Sequence, residues 1–184
     1  MTTKRSTNGS SVNHLWKGLA AGLIGGLVAS WTMNRFQDVW SKLAQGNHWP
    51  PGNTERDERA EANSEPEDDT TVRTASAISE GLFDHKLTPK EKKIAGPAVH
   101  YTLGAGVGGL YGAAAEIAPE VTAGAGLPFG AVFWLVVDEG AVPLLRLSKG
   151  PRAYPLSTHA YALSSHFVYG LTAEIVRRVI RLAL

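Results

Sequence analysis

The 184-residue sequence contains no cysteine, and several of its long stretches contain no charged residue. The absence of cysteine excludes a disulfide framework, a thiol nucleophile and a thiolate metal site. The formal net charge is only +1, and the basic residues are scattered without interleaved aromatic residues, so we expect no nucleic-acid partner. No pairing of a nucleophile with a general base stands out either, which favours a non-enzymatic protein with no catalytic residue and no cofactor.

What the sequence does contain is four long apolar segments. They cover residues 18–34, 94–115, 121–137 with an extension to 145, and 153–173. A helix that crosses a bilayer needs about 20 mostly apolar residues. Tryptophan and tyrosine side chains favour the headgroup layer, and five of them fall at or near segment ends: Trp16, Trp31, Trp40, Tyr154 and Tyr169. Two alternatives to membrane-spanning helices are a soluble bundle of buried helices and, for the first segment alone, a signal peptide.

The prediction is therefore an all-α integral membrane bundle of four transmembrane helices, with a long polar loop between helices 1 and 2. The predicted parts are a polar tail at 1–14, transmembrane helices at 15–40, 88–117, 121–146 and 153–181, and a loop at 41–87. Residues 55–69 of this loop are acidic with interspersed arginines, as in a mobile solvated linker. Residues 72–83 show helical apolar spacing, which predicts a short amphipathic helix. Thr88, Pro89 and Glu91 form a helix start with a capping box.

Glycine recurs every four residues in the first two predicted membrane helices. Residues with this spacing share a helix face, and glycine there allows two helices to approach closely in lipid. We therefore predict that the two glycine faces pack against each other or against a second copy of the chain. The residues are Gly18, Gly22 and Gly26 in the first helix, and Gly104, Gly108 and Gly112 in the second.

Ionisable residues inside membrane segments are costly and are candidates for function. The candidates are His100, Asp138, Glu139, His159, His166 and Glu174, with Arg177 and Arg178 within reach of Glu174. Three hypotheses compete: a structural role in helix packing, a small transporter, channel or proton-handling protein, and a haem or metal site built from the histidines. The first is the main hypothesis. No H-x-x-x-H or E-x-x-H pair supports a metal site, so we assign no metal ligand.

The second half of the chain resembles a known family. The resemblance rests on the blocks Gly96-Pro97 to Ala115-Glu116, Gly126-Leu127-Pro128-Phe129-Gly130 with Asp138-Glu139 and Val142-Pro143, and Tyr154 to Arg178 with His159, His166 and Glu174. These blocks are similar to the YagU-like family of uncharacterised bacterial inner-membrane proteins, over roughly residues 88 to 181. The resemblance implies a four-helix protein of the bacterial inner membrane and supplies no reaction, substrate or agreed site.

The expected partners follow from this location. They are the lipid bilayer and, in addition, a second copy of the chain or another membrane protein. Four spans place both termini on the same side. The count of basic residues favours the loops inside, whereas the first helix and the family resemblance favour cytoplasmic termini, which is the orientation that we choose.

Overall fold

The computed structural model describes residues 7–47 and 70–184, and these residues form helices and no strand. The five longer helices are α1 (Thr7–Asn47), α2 (Thr70–Phe83), α3 (Pro89–Ile117), α4 (Leu127–Val136) and α5 (Leu156–Ala183). The predicted all-α class is confirmed for these residues. The acidic stretch 55–69 and the first residues of the predicted tail lie outside the described residues.

Helix α1 is the central element of the bundle. It packs along α3 on one side and along α5 on the other, α4 packs on α5, and α2 packs on the first half of α3. With 41 residues, α1 is about 60 Å long. It therefore extends beyond the predicted 15–40 at both ends, because its polar end residues continue the helix without adding to the apolar segment.

The start of α3 is set by the predicted capping box. The Thr88 hydroxyl accepts from the backbone N–H of Glu91, and the Glu91 carboxylate accepts from the backbone N–H of Thr88 at 2.7 Å. His85 adds a ring nitrogen 3.2 Å from the same carboxylate. Pro89 occupies the first turn, where a missing N–H leaves no helical hydrogen bond unmade. These bonds stabilise the charged form of Glu91 and lower the pKa of its carboxyl group.

This lowered pKa predicts how the capping box responds to acid. A carboxyl group whose pKa is lower in the folded state contributes stability above its unfolded-state pKa, and that contribution is lost as the pH falls through the folded-state value. We expect the amide resonance of Thr88 in detergent micelles to titrate with a midpoint below the ordinary range for glutamate. In Glu91→Gln the titration should disappear. A midpoint at or above the ordinary range would contradict the assignment.

The glycine faces of α1 and α3 lie against each other within one chain. A Cβ atom added at Gly108 would lie 2.6 Å from the carbonyl oxygen of Gly22 and 2.7 Å from the Cα of Gly26. Cβ atoms added at Gly22, Gly26 or Gly112 would likewise meet backbone atoms of the facing helix. The two backbones are in direct contact along this line, so no side chain fits between them.

A second glycine contact, which the sequence analysis did not identify, joins α4 to α5. A Cβ atom at Gly170 would lie 2.9 Å from the backbone nitrogen of Gly130 and would also meet the carbonyl oxygen of Gly126. Gly126 and Gly130 are four residues apart, the same spacing as in α1 and α3. This four-residue spacing was therefore the sequence feature from which the α4–α5 contact could have been predicted.

The third predicted helix, 121–146, is not one continuous α-helix. Its first part is a 3₁₀ segment, Pro119–Gly126, with non-helical backbone from Ala123 to Ala125. Gly124, Ala125 and Gly126 have positive φ angles, which an α-helix does not accommodate, so α4 begins only at Leu127. A π-helical turn, Val137–Ala141, then follows α4, and one α-helical turn, Val142–Leu144, ends the segment.

The helices differ in how apolar they are. Within the described residues, one helical stretch, Pro119–Leu144, is long and apolar enough to cross a membrane by itself. Helices α1, α3 and α5 contain uncharged stretches of similar length, but glycine, alanine, serine and tyrosine replace many of the larger apolar residues in them. The four predicted membrane spans therefore remain a prediction.

Candidate functional site

A cavity of about 640 Å³ lies in the half of the bundle that contains the end of α4 and the start of α5. Its wall comes from α1, α3, the π turn and α5, and it reaches the first turns of α2 and the 145–151 connection. Five of the six predicted polar candidates line it: His100, Asp138, Glu139, His159 and His166. The structure thus brings together residues that lie up to 66 positions apart in the sequence.

The π turn places the two carboxylates. The backbone N–H of Val142 donates to the carbonyl of Val137, five residues earlier, instead of the usual four. Pro143 has no N–H for the carbonyl of Glu139, which favours this wider turn. With the turn widened, adjacent carboxylates reach two histidines that lie two turns apart on α5: Glu139 contacts His159 and Asp138 faces His166.

His159 and Glu139 form a close pair. The Nδ1 atom of His159 lies 2.6 Å from a carboxylate oxygen of Glu139, and its Nε2 atom donates to the carbonyl of Pro151 at 3.0 Å. A carbonyl can only accept, so Nε2 carries a proton. The short Nδ1 contact then needs a second proton, on the imidazole or on the carboxyl group. The pair therefore holds a proton that can pass between two heavy atoms in hydrogen-bond contact.

His166 and Asp138 are arranged differently. The Nδ1 atom of His166 donates to the carbonyl of Ala162 at 2.9 Å and lies 3.8 Å from a carboxylate oxygen of Asp138. With Nδ1 engaged in this way, Nε2 is the ring atom that can take up a further proton. The buried His166 ring is held edge-on by Phe133, with ring centroids 5.1 Å apart. The Asp138 side chain is 40% exposed and has no hydrogen bond within the described part of the chain.

The inner end of the cavity is formed by Ser30, Gly104 and Tyr169. The Tyr169 hydroxyl donates to the carbonyl of Gly104 at 2.6 Å. The Ser30 hydroxyl is fully buried and has no hydrogen-bond partner among the described residues. Sequence reasoning did not select Ser30, because one serine in an apolar helix carries no recognisable pattern.

The sixth candidate, Glu174, lies apart from the cavity, between α3 and α5. Its carboxylate is 1% exposed and accepts from Arg177 at 2.7 and 2.9 Å, from Arg178, and from the hydroxyl of Tyr111 at 2.9 Å. Arg178 is 57% exposed, so the cluster reaches the surface on one side. Tyr111 was not among the predicted residues, because its contact depends on the α3–α5 packing.

A second ion pair continues this cluster toward the end of the bundle. Arg181 donates two hydrogen bonds to the carboxylate of Glu116, at 2.7 and 3.2 Å, and contacts the ring of His14 at 2.8 Å. These groups join the end of α3 to the ends of α1 and α5. The bundle therefore has a chain of charged contacts at one end and the polar cavity at the other.

The described residues contain no group of three histidine, aspartate or glutamate side chains close enough to hold a metal ion. The histidine–carboxylate contacts in the cavity occur in pairs, an arrangement suited to exchanging protons. The hydroxyls of Ser164 and Ser165 donate to carbonyls within α5, at 2.7 and 3.0 Å, and not to a histidine.

Comparison with known proteins identifies a family. Neither a curated protein nor a solved structure matches the chain. A family model described as "Protein of unknown function (DUF1440)" matches residues 40–175, which includes the cavity residues from α3 to α5 and Glu174. Because this match covers more than half of the chain, the protein belongs to the DUF1440 family.

Proposed function

We propose that this chain is a four-helix integral membrane protein that takes up and releases protons in its cavity during the transport of a small solute. The observation that carries the proposal is the convergence of three histidines and two carboxylates on one cavity inside the bundle. The role is non-enzymatic, and no catalytic residue is assigned.

The distribution of polar and apolar residues supports a membrane location. In a water-soluble bundle the larger aliphatic residues fill the core. Here no leucine, isoleucine or valine is buried among the described residues. The buried apolar side chains are alanines with Met33, Tyr111, Phe133 and Tyr169, beside polar residues such as Ser30 and Ser165. The outer faces of α1, α3, α4 and α5 carry exposed large apolar side chains: Leu23, Ile24, Leu27, Trp31, Leu103, Leu110, Val132, Leu135, Val136, Phe167, Leu171, Ile175 and Val179. Lipid is the environment that such a surface suits.

More specifically, the proposed location is the bacterial inner membrane, as in the YagU-like proteins, with both termini in the cytoplasm. In this orientation the cavity lies in the half of the bundle that faces away from the cytoplasm, together with α2 and the 145–151 connection. The Glu174 cluster then lies toward the cytoplasmic side, where basic residues such as Arg178 and Arg181 are favoured.

The two histidine–carboxylate pairs support the proton-handling role. The His159–Glu139 pair holds a transferable proton, and His166 presents a ring nitrogen able to accept one. The Nε2 atom of His159 also donates a hydrogen bond to the carbonyl of Pro151, in the connection before α5. The transferable proton lies between His159 and Glu139, so its loss removes that hydrogen bond and leaves the bond to Pro151 in place. Protonation is therefore linked to the contact between the π turn and α5.

A liposome assay tests this function. The full chain is reconstituted into phosphatidylethanolamine–phosphatidylglycerol vesicles that contain a pH-sensitive dye, with valinomycin and K⁺ to remove the membrane potential. We expect uncoupled proton movement through the cavity to dissipate a pH gradient faster than in protein-free vesicles. Glu139→Gln should lower the rate of this dissipation at least about tenfold, since a positioned acid–base group contributes roughly 10²- to 10⁴-fold to proton transfer.

The matched control is Glu120→Gln, an exposed residue in the 3₁₀ segment before α4. It should behave as the parent chain. The proposal is wrong if flux stays unchanged when His100, Asp138, His159 and His166 are each replaced, or if carbonate washing extracts the chain from membranes without detergent.

A second candidate function is purely structural, with the chain acting as a packing partner in a membrane complex. The close glycine contacts between α1 and α3 favour it, because they produce a rigid bundle without any ligand. The two candidates differ in the effect of cavity variants. A structural protein tolerates Glu139→Gln with no change in proton flux, whereas a transporter does not.

A further inference from the structure

We propose that the transported solute is a small organic amine with a second hydrogen-bonding group, and that its ammonium group binds Asp138 in exchange for a proton. This inference rests on the proposed function and adds the chemical class of the solute. It stands on the charge balance of the cavity, on its size and walls, and on one buried hydroxyl without a partner.

The charge balance singles out Asp138. Glu139 is already held by His159 at 2.6 Å. His166 faces Asp138, but its Nδ1 proton is directed to Ala162, and the 3.8 Å separation from the carboxylate is too long for a hydrogen bond. Among the described residues, Asp138 is thus a carboxylate that lines the cavity with no hydrogen bond of its own.

Other charged and titratable groups face the same cavity. They are Glu139 on the π turn, His159 and His166 on α5, His100 on α3 and Lys149 on the connection before α5. Lys149 is exposed to solvent, which screens its charge. When His100 and His166 are neutral and Glu139 shares its proton with His159, a cation at Asp138 therefore neutralises the remaining carboxylate. When Asp138 is protonated, the cation has no counter-charge there. An ammonium group that binds at a protonated Asp138 must therefore displace its proton, one for each cation bound.

The size and walls of the cavity favour an organic cation over a metal ion. A volume of about 640 Å³ is roughly twenty times the 30 Å³ that a water molecule occupies in the liquid. Its wall includes apolar and aromatic side chains such as Leu103, Phe133 and Tyr161. Such surfaces accommodate carbon chains, and aromatic faces attract ammonium groups. No cluster of three metal-binding side chains occurs among the described residues.

Ser30 indicates the second group of the solute. Its hydroxyl lies at the inner end of the cavity, fully buried, and has no partner in the described chain. A buried hydroxyl without a hydrogen bond is unfavourable, so an occupant that supplies one gains affinity. We therefore expect an amine that also carries a hydroxyl or carbonyl group to bond both Asp138 and Ser30, and a simple alkylamine to bond only Asp138.

Calorimetric titration of the full chain in detergent micelles tests this inference. The probes are 4-amino-1-butanol, n-butylammonium chloride, the neutral amide butyramide, and sodium chloride. We expect both amines to bind, the amino alcohol about two- to tenfold more tightly, as one added hydrogen bond predicts. Butyramide and sodium should show no saturable binding. As the pH falls through the titration of Asp138, the apparent dissociation constant of each amine should rise up to about tenfold per pH unit.

Two variants locate the binding. Asp138→Asn should abolish amine binding, and Ser30→Ala should remove only the preference for the amino alcohol. Glu120→Gln should change neither amine binding nor the preference for the amino alcohol. Circular dichroism establishes that each variant is folded. Equal amine binding to Asp138→Asn, or sodium binding as strong as amine binding, overturns the inference. Proton flux without amine binding also refutes it while leaving the proposed function intact. Amine binding without proton flux refutes the proposed function instead.

Discussion

Replacing Glu174 by alanine is expected to lower the free energy of unfolding by about 3–5 kcal/mol, the cost of leaving a buried charge without its partner. Glu174 is 1% exposed and accepts hydrogen bonds from Arg177, Arg178 and Tyr111. In Glu174→Ala the guanidinium of Arg177, 8% exposed, keeps its charge, and the Tyr111 hydroxyl loses its acceptor. The effect can be measured by sodium dodecyl sulfate titration of the micelle-bound protein, followed by circular dichroism.

Two further variants make this prediction specific. Glu120→Ala removes an exposed carboxylate and should change stability by less than about 0.5 kcal/mol. The double replacement Glu174→Leu with Arg177→Met removes both charges and should recover most of the loss, because apolar residues of similar size often replace a buried ion pair without cost. A Glu174→Ala protein as stable as the Glu120→Ala control would show that the cluster contributes little.

Gly108→Ala and Gly106→Ala are expected to change stability in opposite directions, although they add the same methyl group to the same helix. At Gly108 the new Cβ would lie 2.6 Å from the carbonyl oxygen of Gly22, so α1 and α3 must move apart, at a cost of about 1–3 kcal/mol. At Gly106 no atom lies within 4 Å of the added Cβ. There alanine should stabilise the helix by roughly 0.5–1 kcal/mol.

The same titration measures this pair, and each variant serves as the control for the other. If the two variants have equal stability, the contact between the glycine faces does not support the bundle. Gly22→Ala should match Gly108→Ala, since it meets the same backbone contact from the other helix. The pair also tests the structural candidate function, which requires that the α1–α3 contact carries a large part of the stability.

Much of the helical framework follows from local rules. The cap at Thr88 depends on side chains three residues apart, and the glycine faces of α1 and α3 depend on a four-residue spacing, so both can be read from a sequence. The convergence of His100, Asp138, His159 and His166 was a hypothesis that depended on how the helices pack. The cavity now places these residues on one surface.

Other parts depend on contacts that sequence spacing does not record. The π turn at Val137–Ala141 results from several weak local preferences, and an apolar run with two prolines does not distinguish it from an ordinary helix. The Tyr111–Glu174 bond joins residues 63 positions apart. The break at Gly124–Gly126 was hidden by the apolar composition of its neighbours, because hydropathy does not report the sign of a φ angle.

The central position of α1 also has a consequence for how the chain is made. Both α3 and α5 pack directly on α1, and α4 reaches the bundle through α5. Since α1 leaves the ribosome first, it is already in place when the later helices emerge, and each can dock on a partner that is fully synthesised. In this order of assembly, the glycine contact between α1 and α3 can form before α5 is synthesised.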